Sequence, residues 1–172
     1  MHSLRAAVLA LSIFLIDFVT KVLTHLFLPL TPSYALWFPF NGIPVFKDFL
    51  GISFSINHTT NTGMAWGLLA AHPEYLMTAR VLLIGVLLIY YFFINKEECY
   101  VLPLTMVIVG ALGNVSDFLI YGHVIDMFHF VLWGYDFPVF NVADSAIFIG
   151  VFWMLLLSWG FKCSGVLATR RR

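Results

Sequence analysis

The sequence predicts an all-α membrane protein of four transmembrane helices, with a small extracytoplasmic β-containing segment between helices 1 and 2. Three observations carry that prediction. Of 172 residues, 61% are hydrophobic and 10% charged, where soluble domains run at ~45–50% and ~25%. The mean hydropathy is +0.93, more apolar surface than a compact soluble fold of this size can hide. The apolar residues also fall in four long runs, each near the ~20 residues that a helix needs to cross the hydrocarbon core. A backbone inside lipid must satisfy its own hydrogen bonds, so these runs read as helices.

The runs cover about 4–30, 75–94, 100–121 and 144–161, and the whole chain, 1–172, reads as one integral membrane domain. The first follows Arg5 as a signal peptide would, but it continues past Asp17 and Lys21 without a persuasive cleavage site, so it reads as a retained span. Between spans one and two, residues 31–74 mix polar, Gly and aromatic residues, and FKDFLGISFSIN (Phe46 to Asn57) alternates in the manner of short strands. Residues 122–143 link spans three and four outside the membrane. Four spans put both termini on one side. That side carries Arg5, Lys96, Lys162 and Arg170 to Arg172, whereas the other has Lys47 and, at a span edge, Arg80. The positive-inside rule makes the first side cytoplasmic. Cys99 and Cys163 are then expected as free thiols in a reducing compartment. Trp37, Trp66, Trp133, Tyr34, Tyr75, Tyr121 and Tyr135 fall near the outer interface, where an aromatic belt accounts for them.

Ionisable residues inside spans are costly and mark function by default. Asp17 and Lys21 lie four apart in the outer half of span one, on one helix face, where they can pair. Such a pair serves either as an architectural lock or as part of a site near the outer surface. A richer cluster follows. Asp117, Asp126 and Asp144 gather at the outer ends of spans three and four, beside the small residues Gly110, Ala111 and Gly113. Two converging carboxylates cannot both ionise, so they share a proton. One member acts as base toward water and the other as acid toward a carbonyl, which is the chemistry of aspartyl hydrolysis. Asp144 also suits a helix N-cap. Asp126, between Ile125 and Met127, fits a solvated loop poorly.

A metal site from His123, Asp126 and His129 (H-x-x-D-x-x-H) was weighed against this, and none is expected, because the outer histidines diverge on a helix. With Lys+Arg and Asp+Glu at 9 each, no basic field points to nucleic acid. No P-loop, G-x-G-x-x-G, H-E-x-x-H or G-x-S-x-G occurs.

Taken in order, five short motifs resemble the bacterial lipoprotein signal peptidase (signal peptidase II) family. Asp17 to Lys21 (DFVTK) looks like its D-x-x-T-K. Asn61 to Trp66 (NTGMAW) looks like its N-x-G-x-A-aromatic segment, and Gly110 to Asp117 (GALGNVSD) is similar to its G-A-x-G-N-x-x-D. Val124 to Asp126 (VID) and Phe140 to Ser145 (FNVADS) resemble its V-V-D and F-N-x-A-D-S elements. The resemblance implies an intramembrane aspartyl endopeptidase in the bacterial inner membrane, with its site near the outer face and no cofactor. It implies cleavage of diacylglyceryl-modified prolipoproteins just before the lipidated cysteine, with membrane lipids and the inhibitor globomycin as further partners. Residue by residue, it makes Asp126 and Asp144 catalytic. It makes Asp17, Lys21, Asn61, Gly63, Gly110, Asn114, Asp117, Asn141 and Ala143 substrate-binding or supporting.

One departure from the family pattern matters. The family usually has Arg directly after the Asp of G-N-x-x-D, and here Phe118 stands there, with no donor to offer a substrate carbonyl. The competing function class is a small proton-coupled transporter using the Asp/Lys cluster as relay groups. Against it, the acids gather at one end of the spans and do not run through the membrane.

Overall fold

A computed structural model describes residues 2–32, 37–62 and 73–159. Four α-helices carry a four-stranded antiparallel sheet at one end. Helix α1 (His2–Phe27) leads out to strands β1 (Ile43–Phe49) and β2 (Ile52–Asn61). Helix α2 (Pro73–Ile89) returns and runs into a π-turn at Tyr90–Ile94. A 3₁₀ turn (Glu98–Tyr100) opens helix α3 (Val101–Tyr121), then come β3 (Val124–Leu132), β4 (Tyr135–Asp136) and helix α4 (Val142–Ser158).

Among the described residues, three helical segments are long and apolar enough to cross a membrane: Ser3–Phe27, Tyr75–Ile94 and Glu98–Tyr121. Helix α4 is apolar but has 17 described residues, ~25 Å of rise against ~30 Å of hydrocarbon. Of the four expected spans, three are matched by full-length apolar helices, and the fourth falls on a shorter apolar helix. Outward faces of all four expose large apolar side chains, such as Leu11, Leu82, Val86 and Phe148. Lipid, not water, suits such a surface. Helix α3 is the centre of the bundle, packing against α1, α2 and α4. Its Gly110 and α4's Gly150 permit that approach: a Cβ at Gly110 would sit 2.5 Å from the Ala143 carbonyl, and one at Gly150 2.7 Å from that of Pro103.

The sheet departs from the sequence prediction. Strands were expected between helices 1 and 2 only, yet residues 122–143 supply β3 and β4, and β3 pairs along the length of β2. The signal was hidden because Val124, Ile125, Asp126 and Met127 are all buried, so no polar alternation marks the strand. Two-residue turns with positive φ at both positions close the hairpins, at Leu50-Gly51 and Trp133-Gly134. They sit side by side, Trp133 N donating to Gly51 O at 2.8 Å. Between Ile56 and Thr59, β2 carries an extra residue relative to β3. The bulge lets β2 serve two faces. Asn57 turns to the Pro39 and Phe40 carbonyls, while Thr59 and Asn61 reach Asp126.

Cys99 is disulfide-bonded, which corrects the expectation of a free thiol there. The other cysteine of the sequence, Cys163, lies outside the described residues.

Candidate active site

The sheet-side ends of α1, α3 and α4 meet around one ammonium group. Asp17 and Lys21 pair as their spacing predicts, at 2.7 Å. The same Nζ also meets Asp117 Oδ2 at 2.7 Å and donates to Asn114 Oδ1 at 3.0 Å. Lys21 is 1% exposed and Asp17 2%. A buried ammonium is tolerable only when its donors are all used, and here three acceptors from two helices use them. The second oxygen of Asp17 accepts from Ala143 N at 2.8 Å. Asp17 thus satisfies a first-turn N–H of α4 and places a carboxylate at that helix's positive end. The tight fit needs Gly113, where a Cβ would lie 2.7 Å from Asp17 Oδ2. Asp117 in turn accepts from Ile125 N at 3.3 Å, tying the start of β3 to α3.

Above this pedestal stand the two carboxylates expected to do chemistry. Asp126 projects from β3 and Asp144 from the first turn of α4. A pair of asparagines holds both. Asn141 Nδ2 donates to Asp126 Oδ1 at 2.7 Å, and Asn114 Nδ2 donates to Asp144 Oδ1 at 2.7 Å. Asn141 Nδ2 also reaches Asn114 Oδ1 at 3.2 Å, joining the two amides. Asn61 Nδ2 donates to the other oxygen of Asp126 at 3.1 Å.

The expected N-cap role of Asp144 belongs to Asn141 instead. Asn141 Oδ1 accepts from Asp144 N at 2.8 Å, and Asp144 Oδ2 accepts from Asn141 N at 3.3 Å, a reciprocal capping box. Burial pushes the Asp126 carboxyl up to about 7, and the charge of Asp144 pushes the same way; hydrogen bonds from Asn61 and Asn141 and the charge of Lys21 oppose them. Asp126 therefore holds a proton near neutrality while facing a second acid.

The structure brings together Asp17, Lys21, Asn61, Gly110, Asn114, Asp117, Asp126, Asn141, Ala143 and Asp144. Gly63 lies outside the described residues. The H-x-x-D-x-x-H run is a turn and strand, not a helix, and it scatters its histidines. His129 meets Asp136 and packs on Phe40 at 4.2 Å, whereas His123 lies by Tyr121. Among the described residues no three His, Cys, Asp or Glu side chains converge in a metal-binding arrangement. One group was undervalued from sequence. Arg80, counted there as a span-edge charge, interacts electrostatically with Asp144 and Asp126. The sequence carried no signal for it, because α2 is apolar on every side; only the structure shows that Leu76 and Ile84, four residues to either side, are buried.

Comparison with known proteins identifies the family. A family model described as signal peptidase (SPase) II matches residues 9–160. A lipoprotein signal peptidase of Staphylococcus haemolyticus is 32% identical over 150 residues, covering 87% of each chain. One of Actinobacillus succinogenes is 33% identical over 151 residues, covering 85% of this chain and 84% of its own. A solved bacterial membrane enzyme, determined by the in meso method at 2.3 Å resolution, superposes with a TM-score of 0.75 at 25% identity, covering 94% of this chain and 93% of that one.

Proposed function

The chain belongs to the signal peptidase II family, the aspartic-type proteases that cleave signal peptides from prolipoproteins, and we propose that Asp126 and Asp144 are its catalytic pair. The observation that carries this is the joined Asn114–Asn141 amide pair, which grips one carboxylate with each member. Hydrolysis follows from one shared proton. The ionised carboxylate takes a proton from water as the oxygen attacks the scissile carbonyl, and the protonated one hydrogen-bonds the developing oxyanion. Collapse of the tetrahedral species sends a proton to the leaving amine and restores the singly protonated pair. Asp144 sits in the first turn of α4, where the helix dipole favours the anion, so the shared proton rests on Asp126. Asn61, Asn114 and Asn141 orient the pair, and Asp17, Lys21 and Asp117 hold the helices that carry it. Gly110 and Ala143 give close packing, and Gly63 is assigned to the substrate on its motif alone.

In this reading α4 crosses as a fourth span of a single membrane domain, both termini are cytoplasmic, and the site faces the outer leaflet of the bacterial inner membrane. The substrate is a prolipoprotein cut just before a diacylglyceryl-modified cysteine, whose acyl chains stay among the membrane lipids. Globomycin binds at the same site.

The test is cleavage of a lipidated and an unlipidated precursor by purified Asp126→Asn and Asp144→Asn. Each should lose at least about 10³-fold in kcat, since acid–base terms contribute ~10²–10⁴, while remaining folded in detergent. Only the lipidated precursor should be cut by the unmodified enzyme. Near-normal turnover by either variant removes that residue from the chemistry.

A further inference from the structure

The family pattern puts an arginine where this chain has Phe118, and the charge balance at the site makes the loss consequential. Lys21 is already tied to two carboxylates, Asp17 and Asp117, so it is outnumbered before the catalytic pair is counted. A singly protonated Asp126–Asp144 pair adds another negative charge. Among the described residues the cations are Arg5, Lys21, Lys47, Arg80 and Lys96. Arg5 and Lys96 belong to the opposite end of the bundle, and Lys47 lies on exposed β1. His123 lies by Tyr121, within reach of the charges of His25 and His58.

Arg80 is placed differently. Helices α2 and α3 run antiparallel, and their far ends are tied where Thr105 Oγ1 meets the Tyr91 hydroxyl at 3.5 Å. Eleven residues back from Tyr91 is Arg80, and eleven on from Thr105 is Ser116, a rise of ~16 Å along each helix. Arg80 is therefore level with the stretch of α3 that holds Asn114 and Phe118. It also lies on the packed side of α2. Leu76 and Ile84, one turn either side, are buried, whereas Val81, Leu82, Leu83 and Val86 are exposed to lipid. A guanidinium inside a span is costly, and the negative charges of Asp144 and Asp126 act on this one.

We propose that Arg80 is the electrostatic positioning residue of the catalytic pair, supplying from α2 the guanidinium that the family pattern places at Phe118. This rests on Asp126 and Asp144 being the catalytic pair. Arg80 holds the ionised member of that pair in its charged form and keeps it turned toward the water it activates. The other groups that act on Asp126 are Asp144 from α4, Lys21 from α1, and the amides of Asn61 and Asn141.

The experiment is steady-state cleavage of a diacylglyceryl-modified precursor across pH by purified full-length Arg80→Met, Arg80→Lys and the double variant Arg80→Met/Phe118→Arg, with Asp126→Asn run alongside. Arg80→Met should lower kcat at least about tenfold with KM within about threefold. Removing a cation favours the protonated pair, so the alkaline limb should move to higher pH by about 0.5–1 unit. Arg80→Lys should retain most of kcat, and Phe118→Arg should restore activity to Arg80→Met. Unchanged kcat and an unmoved limb in Arg80→Met overturn the proposal. So does a loss that Arg80→Lys shares in full and Phe118→Arg does not relieve, since that marks a packing role. Activity surviving in Asp126→Asn would fail the catalytic assignment itself, separately from Arg80.

Discussion

Two polar clusters lie along the same seam between α1 and α3, a turn apart, and they are built on opposite principles. The inner one centres on Lys21, with Asp17, Asn114 and Asp117 around it, and its members are paired. The outer one gathers His25, His58, Tyr121 and His123, with ring centroids 5.5 Å apart for His25–His58, 4.8 Å for His25–Tyr121 and 6.2 Å for Tyr121–His123. There His58 Nδ1 lies 3.0 Å from Leu28 O, while Nε2 of both His58 and His123 is buried with no partner. The difference shows what burial demands of each chemistry. An ammonium out of water must have its donors met or the fold gives way. A neutral imidazole can leave one ring nitrogen unpaired at a smaller cost. The inner cluster is therefore rigid by necessity, and the catalytic carboxylates are mounted on it.

Breaking the inner cluster should have the largest effect. Lys21→Met leaves Asp17 and Asp117 facing each other without a cation, at a cost of ~3–5 kcal/mol. Thermal unfolding in detergent should show a lowered Tm, well beyond that of Asp126→Asn; an unchanged Tm would mean that the ion pairs carry no load. Asn141→Ala comes next. It removes the α4 cap, worth ~1 kcal/mol, and frees Asp126 and Asp144 from their common clamp. Activity should fall about 10²-fold with a Tm loss smaller than that of Lys21→Met. Activity within twofold of the unmodified enzyme would detach the asparagine clamp from catalysis.

The smallest effect belongs to the outer cluster. Burial pushes the His123 imidazole below its ordinary value of 6.5, helped by His58 and His25. The unfolded chain then binds a proton more readily than the folded one, so stability falls as pH drops through about 6.5 toward the lowered folded value. Asp126 contributes with the opposite sign, since its raised value of about 7 favours the folded protein as pH falls below 7. Comparing Tm of His123→Phe and the unmodified protein at pH 7.5 and 5.5 cancels the aspartate. The variant should lose less on acidification, and the difference at pH 7.5 should stay within ~1 kcal/mol. An equal acid loss in both would show that His123 does not titrate against burial.

How far the sequence could be read depended on whether each feature left a periodic or local trace. Asp17 and Lys21 were legible because four residues on a helix face means contact. The acids of spans three and four were legible as a group, but not that Asp117 would turn down to Lys21 while Asp126 and Asp144 face up. That sorting is made by β3, a strand without alternation because both of its faces are buried. Asn141 looked like one polar residue among several. Its work as cap and clamp depends on where Ile125, Asp126 and Asn114 arrive in space. Arg80 read only as a span-edge charge, because α2 is apolar all round and no periodicity marks its packed side.

The three-way ion contact has a consequence for how the chain is assembled. Helix α1 enters the bilayer first, and it carries Asp17 and Lys21 as a self-neutralising couple one turn apart, so it can wait in lipid at tolerable cost. Helix α3 later brings Asp117, an acid with no cation on its own helix. Its cheapest destination in the hydrocarbon is Lys21. Charge thus steers α3 to α1 during insertion, while the close Gly113 surface admits it. Helix α4, and with it Asp144, is seated against a carboxylate that α1 supplies.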